Sequence, residues 1–382
     1  MAEESTGAGQ QPTLCVGHYQ TEEEGKAQLA RFAAAYSTRE EWEARAANIR
    51  RCLLRGANLD PLPRRTPLNA VSHSRREHDG YAVENVYFES IPGFFVSGCL
   101  YTPLGRKPPY PIVLCPHGHA KPRDGVLGGR FREYAQMRSA ALARMGAVVF
   151  LYDMAGWSES TQVEHKTPLS LTLQIWSSMR AVDYLLERKD VDPARIAVTG
   201  ESGGGTQSFL LAAVDDRVAV SVPAVQVSAH FFGGCECESG LPIHKSAEHE
   251  TSNVEFAAMA APRPQLLISD GQDWTKNTPE VEFPYIRNVY RLYGAEKNVE
   301  NAHFPDEGHD YGDTKRAAMY PFMARHLGLD LSAIQDAAGA IDESKCAAEP
   351  QETMMVFTAE HPRPAHALQG EEAVAAALKA LQ

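Results

Sequence analysis

Hydrophobic positions near the start of the chain recur at the spacing of one helix face. A capping-box pattern, Thr21-x-x-Glu24, precedes the first such stretch and predicts a helix start. A second box, Thr38-x-x-Glu41, precedes another stretch, and Gly56 stands where that helix should end. The pattern therefore predicts two N-terminal helices, which carry no chemistry of their own and pack against the main domain or a partner subunit.

From residue 81 onward the period changes to two, which is typical of strands. The alternation through residues 81–101, broken at Pro92-Gly93, predicts a hairpin. A continuous apolar run at residues 111–115 is typical of a buried parallel strand, and further strand-like segments then alternate with helical patterns. This order predicts an α/β fold with a doubly wound, mostly parallel sheet. The predicted strands of this sheet lie at residues 111–115, 147–152, 195–199, 218–222, 265–269 and 299–304.

The chain closes with a C-terminal extension that begins with small and acidic residues. Its pattern predicts a strand over residues 354–357 and a helix over residues 371–381. We expect this extension to dock on the main domain or to exchange onto another subunit. The predicted parts are a flexible N-terminus (1–20), a helical extension (21–80), an α/β domain (81–330) and the C-terminal extension (331–382).

The composition and charge of the chain narrow the range of partners and cellular locations that we expect. The formal net charge of −12 argues against nucleic acid or an anionic membrane surface as a partner. No apolar run reaches membrane-spanning length, and residues 1–13 lack the basic and apolar regions of a secretory signal. The seven cysteines are widely spaced apart from Cys235 and Cys237, so we expect no disulfide framework. We therefore expect a cytoplasmic location, with a processed secreted form left open.

A serine flanked by glycines organises the chain. Residues 195–209 contain a β-rich run, then Gly200, Ser202 and Gly204, then a helix start. This is the G-x-S-x-G nucleophile elbow, in which a sharp strand-to-helix turn exposes the serine hydroxyl. The glycines avoid a steric clash at that turn, and the helix N–H groups face any negative charge beside the serine. The plainer alternative is a glycine-rich turn with an incidental serine.

A serine nucleophile needs a base, and the base needs an orienting acid. On this fold the chain order is serine, then aspartate or glutamate, then histidine. Asp270 and Asp273 follow the 265–269 strand, and His309 follows the last strand. We predict His309 as the base and prefer Asp273 as the acid, because it lies beyond a glycine that lets the loop turn back. Asp270 stays the alternative.

The attack creates an oxyanion, which needs backbone N–H donors that are already aimed at it. The N–H of Gly203 follows the nucleophile directly, and the second donor is expected after the 111–115 strand. In that loop we favour the N–H of His119 over that of Gly118. The side chains expected to line the pocket are His117, Trp157, Phe231 and Phe232.

Two loops are expected to form the pocket walls. The 156–168 stretch is one, although Trp157 within it fits core packing equally well. The other covers residues 225–255, and its part up to His244 contains two cysteines and two histidines, which raises the alternative of a zinc site. The Cys-x-Cys spacing is not the common one for zinc, and a triad needs no metal. We therefore expect a pocket loop with no metal and no cofactor. The four residues in question are Cys235, Cys237, His230 and His244.

Five short motifs stand at the predicted strand ends: Cys115-Pro-His-Gly-His119, Tyr152-Asp-x-x-Gly156, Gly200-Glu-Ser-Gly-Gly204, Asp270-Gly-Gln-Asp273 and Glu307-Gly-His309. With these motifs the chain resembles the α/β-hydrolase superfamily. Within it, the chain is most similar to the acetyl xylan esterase and cephalosporin-C deacetylase group and to dienelactone-hydrolase-like bacterial proteins. The resemblance implies Ser202 as nucleophile, Asp273 as acid and His309 as base, with His119 and Gly203 at the oxyanion hole. The chain departs from the esterase pattern at His119, where a tyrosine is usual.

These residues predict a serine hydrolase that cleaves carboxylic esters through an acyl-enzyme intermediate. We expect an acetyl-type esterase for small acyl groups, with acetylated carbohydrates among its substrates. A peptidase or an acyltransferase with the same triad is an alternative, although no propeller repeats are present. A non-catalytic binding protein on the same fold is a third reading. The expected partner is a small-molecule or carbohydrate ester, and homo-oligomerisation is left open.

Overall fold

A computed structural model of the protein describes residues 20–123 and 125–382, so the predicted flexible stretch 1–20 lies almost entirely outside the described residues. Nine strands form one sheet in the order β1-β2-β3-β5-β4-β6-β7-β8-β9. The pairs β1–β2, β2–β3 and β3–β5 are antiparallel, and all other pairs are parallel. The strands are β1 Val71–His78, β2 Tyr81–Ile91, β3 Phe94–Pro103, β4 Tyr110–Pro116, β5 Val148–Tyr152, β6 Val191–Glu201, β7 Val220–Ala224, β8 Gln265–Asp270 and β9 Val299–Phe304.

Helices cover both faces of the sheet, which confirms the predicted doubly wound α/β class. One hydrophobic cluster joins one sheet face to α4, α5, α7 and α8, and a second joins the other face to α3 and α9. No helix among the described residues is long and apolar enough to cross a membrane. The helices are α1 Glu22–Ala33, α2 Arg39–Gly56, α3 Glu133–Met145, α4 Ser170–Leu186, α5 Gly203–Val214, α6 Glu236–Ser239, α7 Asn253–Ala258, α8 Glu282–Leu292, α9 Asp313–Leu327, α10 Gln351–Met354 and α11 Glu371–Lys379.

The N-terminal helices α1 and α2 begin at the two predicted capping boxes and pack on the 225–255 loop. Both boxes are complete, with Thr21 and Thr38 as the caps. The N–H of Gln20 donates to the carbonyl of His230 at 2.8 Å. Arg45 forms two 2.6 Å hydrogen bonds with the buried carboxylate of Glu255. The N-terminal extension therefore supports one predicted pocket wall from behind.

The C-terminal extension docks on the main domain and supports the other wall, the 156–168 loop. The carboxylate of Glu159 accepts the N–H of Val356 at 2.8 Å and that of Phe357 at 2.9 Å. Near the end of the chain, the Thr167 hydroxyl donates to Glu371 at 2.5 Å. The N–H of Gly370 donates to the Gln162 carbonyl at 2.8 Å. Of the two arrangements expected for this extension, docking on the main domain is therefore the one that the structure has.

Two elements differ from the sequence prediction. β1 lies inside the predicted helical extension, and its exposed, charged sequence shows no apolar face because it is an edge strand. The predicted strand over residues 354–357 is wrong: α10 ends at Met354, and the chain then bends at Val356 and Phe357. The alternation was real, since Met354 and Val356 are fully buried. The amides of this segment, however, bind the carboxylate of Glu159 instead of a neighbouring strand.

Candidate active site

Ser202 occupies the sharp turn between β6 and α5. Its backbone has φ 55° and ψ −123°, a conformation that non-glycine residues rarely adopt. A Cβ on Gly200 would lie 2.2 Å from the carbonyl oxygen of Pro116, and one on Gly204 would lie 2.4 Å from it. Both positions therefore require glycine, because β4 passes directly beneath the turn. The geometry is that of the predicted elbow.

The structure brings Asp273 and His309 together at the same edge of the sheet. Asp273 Oδ2 lies 2.6 Å from His309 Nδ1, and Asp273 Oδ1 accepts both the N–H and the hydroxyl of Thr275. The Asp273 side chain is 3% exposed, whereas that of His309 is 32% exposed. Because the carboxylate holds Nδ1, the Nε2 atom is the nitrogen of His309 left for proton transfer.

Asp270, the alternative acid, has a different environment. It ends β8 with no exposed surface, and its Oδ2 lies 3.4 Å from the ammonium group of Lys315. Burial raises the pKa of the Asp270 carboxyl to about 6. Its Oδ1 accepts the N–H of Gln272 at 3.2 Å, which shapes the loop that leads to Asp273. Of the two aspartates, Asp273 is the one bonded to His309.

The loop after β4 is held against the elbow by Glu201, the residue before the serine. Its carboxylate accepts the N–H of Gly118 at 2.9 Å and an Arg138 N–H at 2.7 Å. Burial raises the pKa of Glu201, but Arg138 and the Gly118 N–H outweigh this effect and hold it below its usual value. A Cβ on Gly118 would lie 3.0 Å from Ser202 Cβ, so the loop needs glycine for this approach.

These hydrogen bonds show which of the candidate oxyanion donors have an N–H group that is available to a substrate. The N–H of Gly118 is already bound to Glu201 and is not available to a substrate. The N–H groups of His119 and Gly203 make no hydrogen bond within the part of the chain that the structure describes. His119 follows Gly118 directly, and Gly203 opens α5, so both donors border Ser202.

Aromatic side chains flank the candidate triad. Trp274 packs against His309 with ring centroids 4.4 Å apart, and Phe231 packs against Trp274 at 4.3 Å. All three residues keep part of their surface exposed. The half-buried Trp157 contacts His119 with ring centroids 5.7 Å apart, so it lies beside the loop of the candidate oxyanion donor. Trp274 was not among the residues predicted from the sequence to line the pocket, although it directly follows Asp273.

Two residues predicted to line the pocket are buried instead. His117 is 1% exposed, and its Nε2 accepts the N–H of Met154 at 3.2 Å. Burial lowers the pKa of His117 to about 4, so its ring is neutral at pH 7. Phe232 has no exposed surface and stacks on His244 with centroids 4.4 Å apart. Both side chains support the walls from inside and present no surface to a substrate.

Two histidines and two cysteines converge beside the elbow. His119 Nε2 lies 3.1 Å from His165 Nε2 and 3.0 Å from Cys237 Sγ. His165 Nε2 also lies 3.0 Å from Cys235 Sγ. The four ligand atoms all lie within 4.8 Å of one another. The hydrogen bond with Cys237 lowers the pKa of the Cys235 thiol well below its usual value, while burial raises that of Cys237.

The two histidines are not the pair that the sequence brought to attention. His244 Nε2 lies 2.7 Å from the side-chain oxygen of Asn253, and His230 Nδ1 lies 3.2 Å from the Ser228 hydroxyl oxygen. The cysteines instead face histidines from earlier loops, 118 residues apart for the His119–Cys237 pair. Spacing along the chain could not reveal this group, because three separate loops form it.

Comparisons with known proteins show to which family the chain belongs. No protein-family model matches the chain. Among solved structures it is similar to Methylesterase BT1017, with 40% sequence identity and a TM-score of 0.86, covering 94% of this chain and 79% of that chain. It is also similar to 4-O-methyl-glucuronoyl methylesterase 1 of Wolfiporia cocos (strain MD-104), 23% identical over 331 residues, which span 77% of this chain and 78% of the relative.

A more distant structure shares the fold. A CE15 glucuronoyl esterase from Teredinibacter turnerae T7901 has a TM-score of 0.54 at 17% identity, covering 76% of this chain and 86% of that chain. Together with the match to Methylesterase BT1017, this similarity confirms the α/β-hydrolase resemblance seen in the sequence. The 40% identity with Methylesterase BT1017 extends over nearly the whole chain. The chain therefore belongs to the family of Methylesterase BT1017 and is a carboxylic ester hydrolase with the α/β-hydrolase fold.

Proposed function

We propose that the protein is a serine esterase that removes methyl groups from the carboxyl esters of acidic sugars. The observation that carries this proposal is the 2.6 Å contact between Asp273 and His309 at the sheet edge that also holds the Ser202 elbow. The names of two relatives, a methylesterase and a glucuronoyl methylesterase, support the choice of a methyl ester.

The reaction begins when His309 Nε2 removes the proton from the Ser202 hydroxyl and the oxygen attacks the ester carbonyl. The N–H groups of His119 and Gly203 bind the oxyanion of the tetrahedral intermediate. His309 then gives its proton to the methoxy oxygen, methanol leaves, and the sugar carboxyl is held as an ester on Ser202. Water, activated by the same histidine, hydrolyses this ester and frees the acid. Asp273 holds His309 in the required tautomer throughout.

The exposure of the site fits a carbohydrate substrate. The His309 side chain is one-third exposed, so an ester on a large sugar can approach it without entering a deep cavity. Trp274 and Phe231 offer aromatic surface beside it, and aromatic faces pack well against the C–H surfaces of sugar rings. In a methyl ester the sugar is the acyl part, so it stays near Ser202 until the second step.

An assay of released products tests this proposal and separates it from the acetyl-ester expectation, which stays a prediction. We would incubate the protein with methyl-esterified oligogalacturonides, methyl glucuronate and acetylated xylo-oligosaccharides, and measure methanol and acetate. The proposal predicts methanol from at least one methyl ester and none from the Ser202→Ala variant. Acetate as the main product would instead support the acetyl-type esterase. Cleavage of neither ester class would contradict the proposal.

The same assay addresses the remaining alternatives. Peptide p-nitroanilides included in the panel report peptidase activity, and added alcohols report acyl transfer through new ester products. A non-catalytic binding protein would release no product from any substrate and would not react with a fluorophosphonate. The intact contact of Asp273 with His309 favours catalysis over that alternative, because a binding protein has no need for an oriented base.

A further inference from the structure

We propose that His119, His165, Cys235 and Cys237 bind one tetrahedral metal ion, with zinc as the preferred metal. This site does not rest on the proposed function, although it adjoins the residues assigned to that function. The four side chains come from the loop after β4, the 156–168 loop and the 225–255 loop. An ion at this position would join three loops that surround the candidate triad.

The hydrogen bonds of His165 aim a lone pair at the centre of the group. Its Nδ1 lies 2.9 Å from the carbonyl oxygen of Ala155, which can only accept, so Nδ1 carries the proton. In the neutral ring Nε2 therefore has a lone pair. Metal-binding histidines characteristically donate their other N–H to a carbonyl or carboxylate in this way.

Hydrogen bonds alone do not satisfy this arrangement. The single lone pair of His165 Nε2 faces both His119 Nε2 at 3.1 Å and Cys235 Sγ at 3.0 Å. His119 Nε2 in turn faces Cys237 Sγ at 3.0 Å as well as His165. One cation at the centre would be bound by all four atoms at once, whereas one proton can serve only one of these contacts well.

The spacing and the donor types fit zinc. Zinc binds nitrogen at about 2.0–2.1 Å and thiolate sulfur at about 2.3 Å, so tetrahedral ligand atoms lie about 3.3–3.8 Å apart. The observed contacts of 3.0 and 3.1 Å need to open by about 0.3–0.6 Å to reach this geometry. Two nitrogens and two sulfurs in a tetrahedral set favour zinc over magnesium or calcium. Both thiols lose a proton on binding, so two thiolates neutralise the divalent ion.

The role that follows is structural, because four protein ligands leave no open position for water or substrate. The effect on catalysis is positional. A Cβ on Gly203 would lie 2.7 Å from the His119 ring, so this ring packs on the first residue of α5. Fixing the ring also fixes the backbone of His119, whose N–H is the proposed oxyanion donor. Loss of the ion should therefore lower kcat without removing Ser202.

Metal analysis of the purified protein tests the site directly. Protein produced with added zinc should contain about one equivalent per chain, as a four-ligand site requires. We expect the variants Cys237→Ser and His165→Ala to lose most of this zinc. Cys346→Ser changes a cysteine outside the group and should keep it. Ser202→Ala should also keep the zinc while losing esterase activity, so the metal site and the proposed function fail or hold separately.

A cobalt titration keeps the test valid if a variant does not fold. Wild-type protein treated with a chelator under reducing conditions should bind Co²⁺ and develop the visible bands of tetrahedral cobalt together with a thiolate-to-cobalt charge-transfer band. Absence of these bands, zinc at the level of a metal-free control, or a Cys235–Cys237 disulfide found by peptide mapping of the untreated protein would each overturn the proposal.

Discussion

The backbone of Ser202 illustrates how single residues are constrained around this site. A positive φ on a non-glycine residue costs about 1–3 kcal/mol and persists only where neighbours enforce it. Here the N–H of Ser202 donates to the Ala224 carbonyl at 3.1 Å, and Gly200 and Gly204 let β4 pass closely beneath. The sequence revealed this conformation because only glycines in those two positions permit it.

The assignment of the acid makes a prediction for the two aspartates. Asp273→Asn should lower kcat/KM by about 10³–10⁴-fold, because an amide cannot hold His309 in the tautomer that accepts the serine proton. Asp270→Asn should stay within about tenfold of the wild type, since Asp270 does not contact His309. Initial rates of ester hydrolysis measure both, with circular dichroism as a check of folding. A larger loss for Asp270→Asn would contradict the assignment.

The sequence could not show which of the other side chains near the site are exposed to a substrate. The chain order of Ser202, Asp273 and His309 at three strand ends is a property of the sequence and led to them directly. Whether His117 or Phe232 faces the pocket depends on how deeply its loop is buried, and neither has a periodic neighbour pattern that reports burial. Both were expected on the pocket surface and both lie beneath it.

At the scale of elements, the N-terminus of α8 holds a buried carboxylate against the 225–255 loop. Glu282 has no exposed surface, and one of its oxygens accepts the N–H of Ala229 at 2.8 Å. The other oxygen has no hydrogen-bond partner within the described residues. Burial raises the pKa of Glu282 from 4.5 to about 7. The folded protein therefore keeps a proton here that the unfolded chain releases near pH 4.5.

This element predicts a pH dependence of stability. Between pH 4.5 and about 7 the folded state binds more protons at Glu282 than the unfolded state, so the free energy of unfolding falls as pH rises. The loss is complete above pH 7 and amounts to about 3 kcal/mol at most. Glu282→Gln should lack this component, so its stability relative to the wild type should increase from pH 5 to pH 8. Urea unfolding measures it, and parallel pH curves would contradict it.

Helices and strands could be predicted from the sequence where their pattern of apolar and polar residues is strong. The helices α1 and α2 combine a helical period with capping boxes, the central parallel strands stand out as apolar segments, and the structure confirms both. β1 has no apolar face, so no pattern marked it. The alternation over residues 354–357 was correct as a burial pattern but not as a strand, because the carboxylate of Glu159 replaces the neighbouring strand as hydrogen-bond partner.

At the scale of the whole molecule, both terminal extensions serve the walls of the site. The N-terminal helices pack behind the 225–255 loop, and the C-terminal extension holds the 156–168 loop. These are contacts between segments far apart in the chain, and no local pattern predicts which surfaces they join. For the same reason the sequence did not reveal the group of His119, His165, Cys235 and Cys237, although it predicted the doubly wound sheet that carries their loops.

Covalent labelling tests most directly whether Ser202 is the nucleophile of an esterase. We would treat the wild type and Ser202→Ala with a fluorophosphonate, map the modified peptide by mass spectrometry and follow ester hydrolysis in the same samples. We expect one adduct, on Ser202, with hydrolysis falling in proportion to labelling, and no adduct in the variant. Hydrolysis that persists after full labelling of Ser202, or in Ser202→Ala, would contradict this role of Ser202.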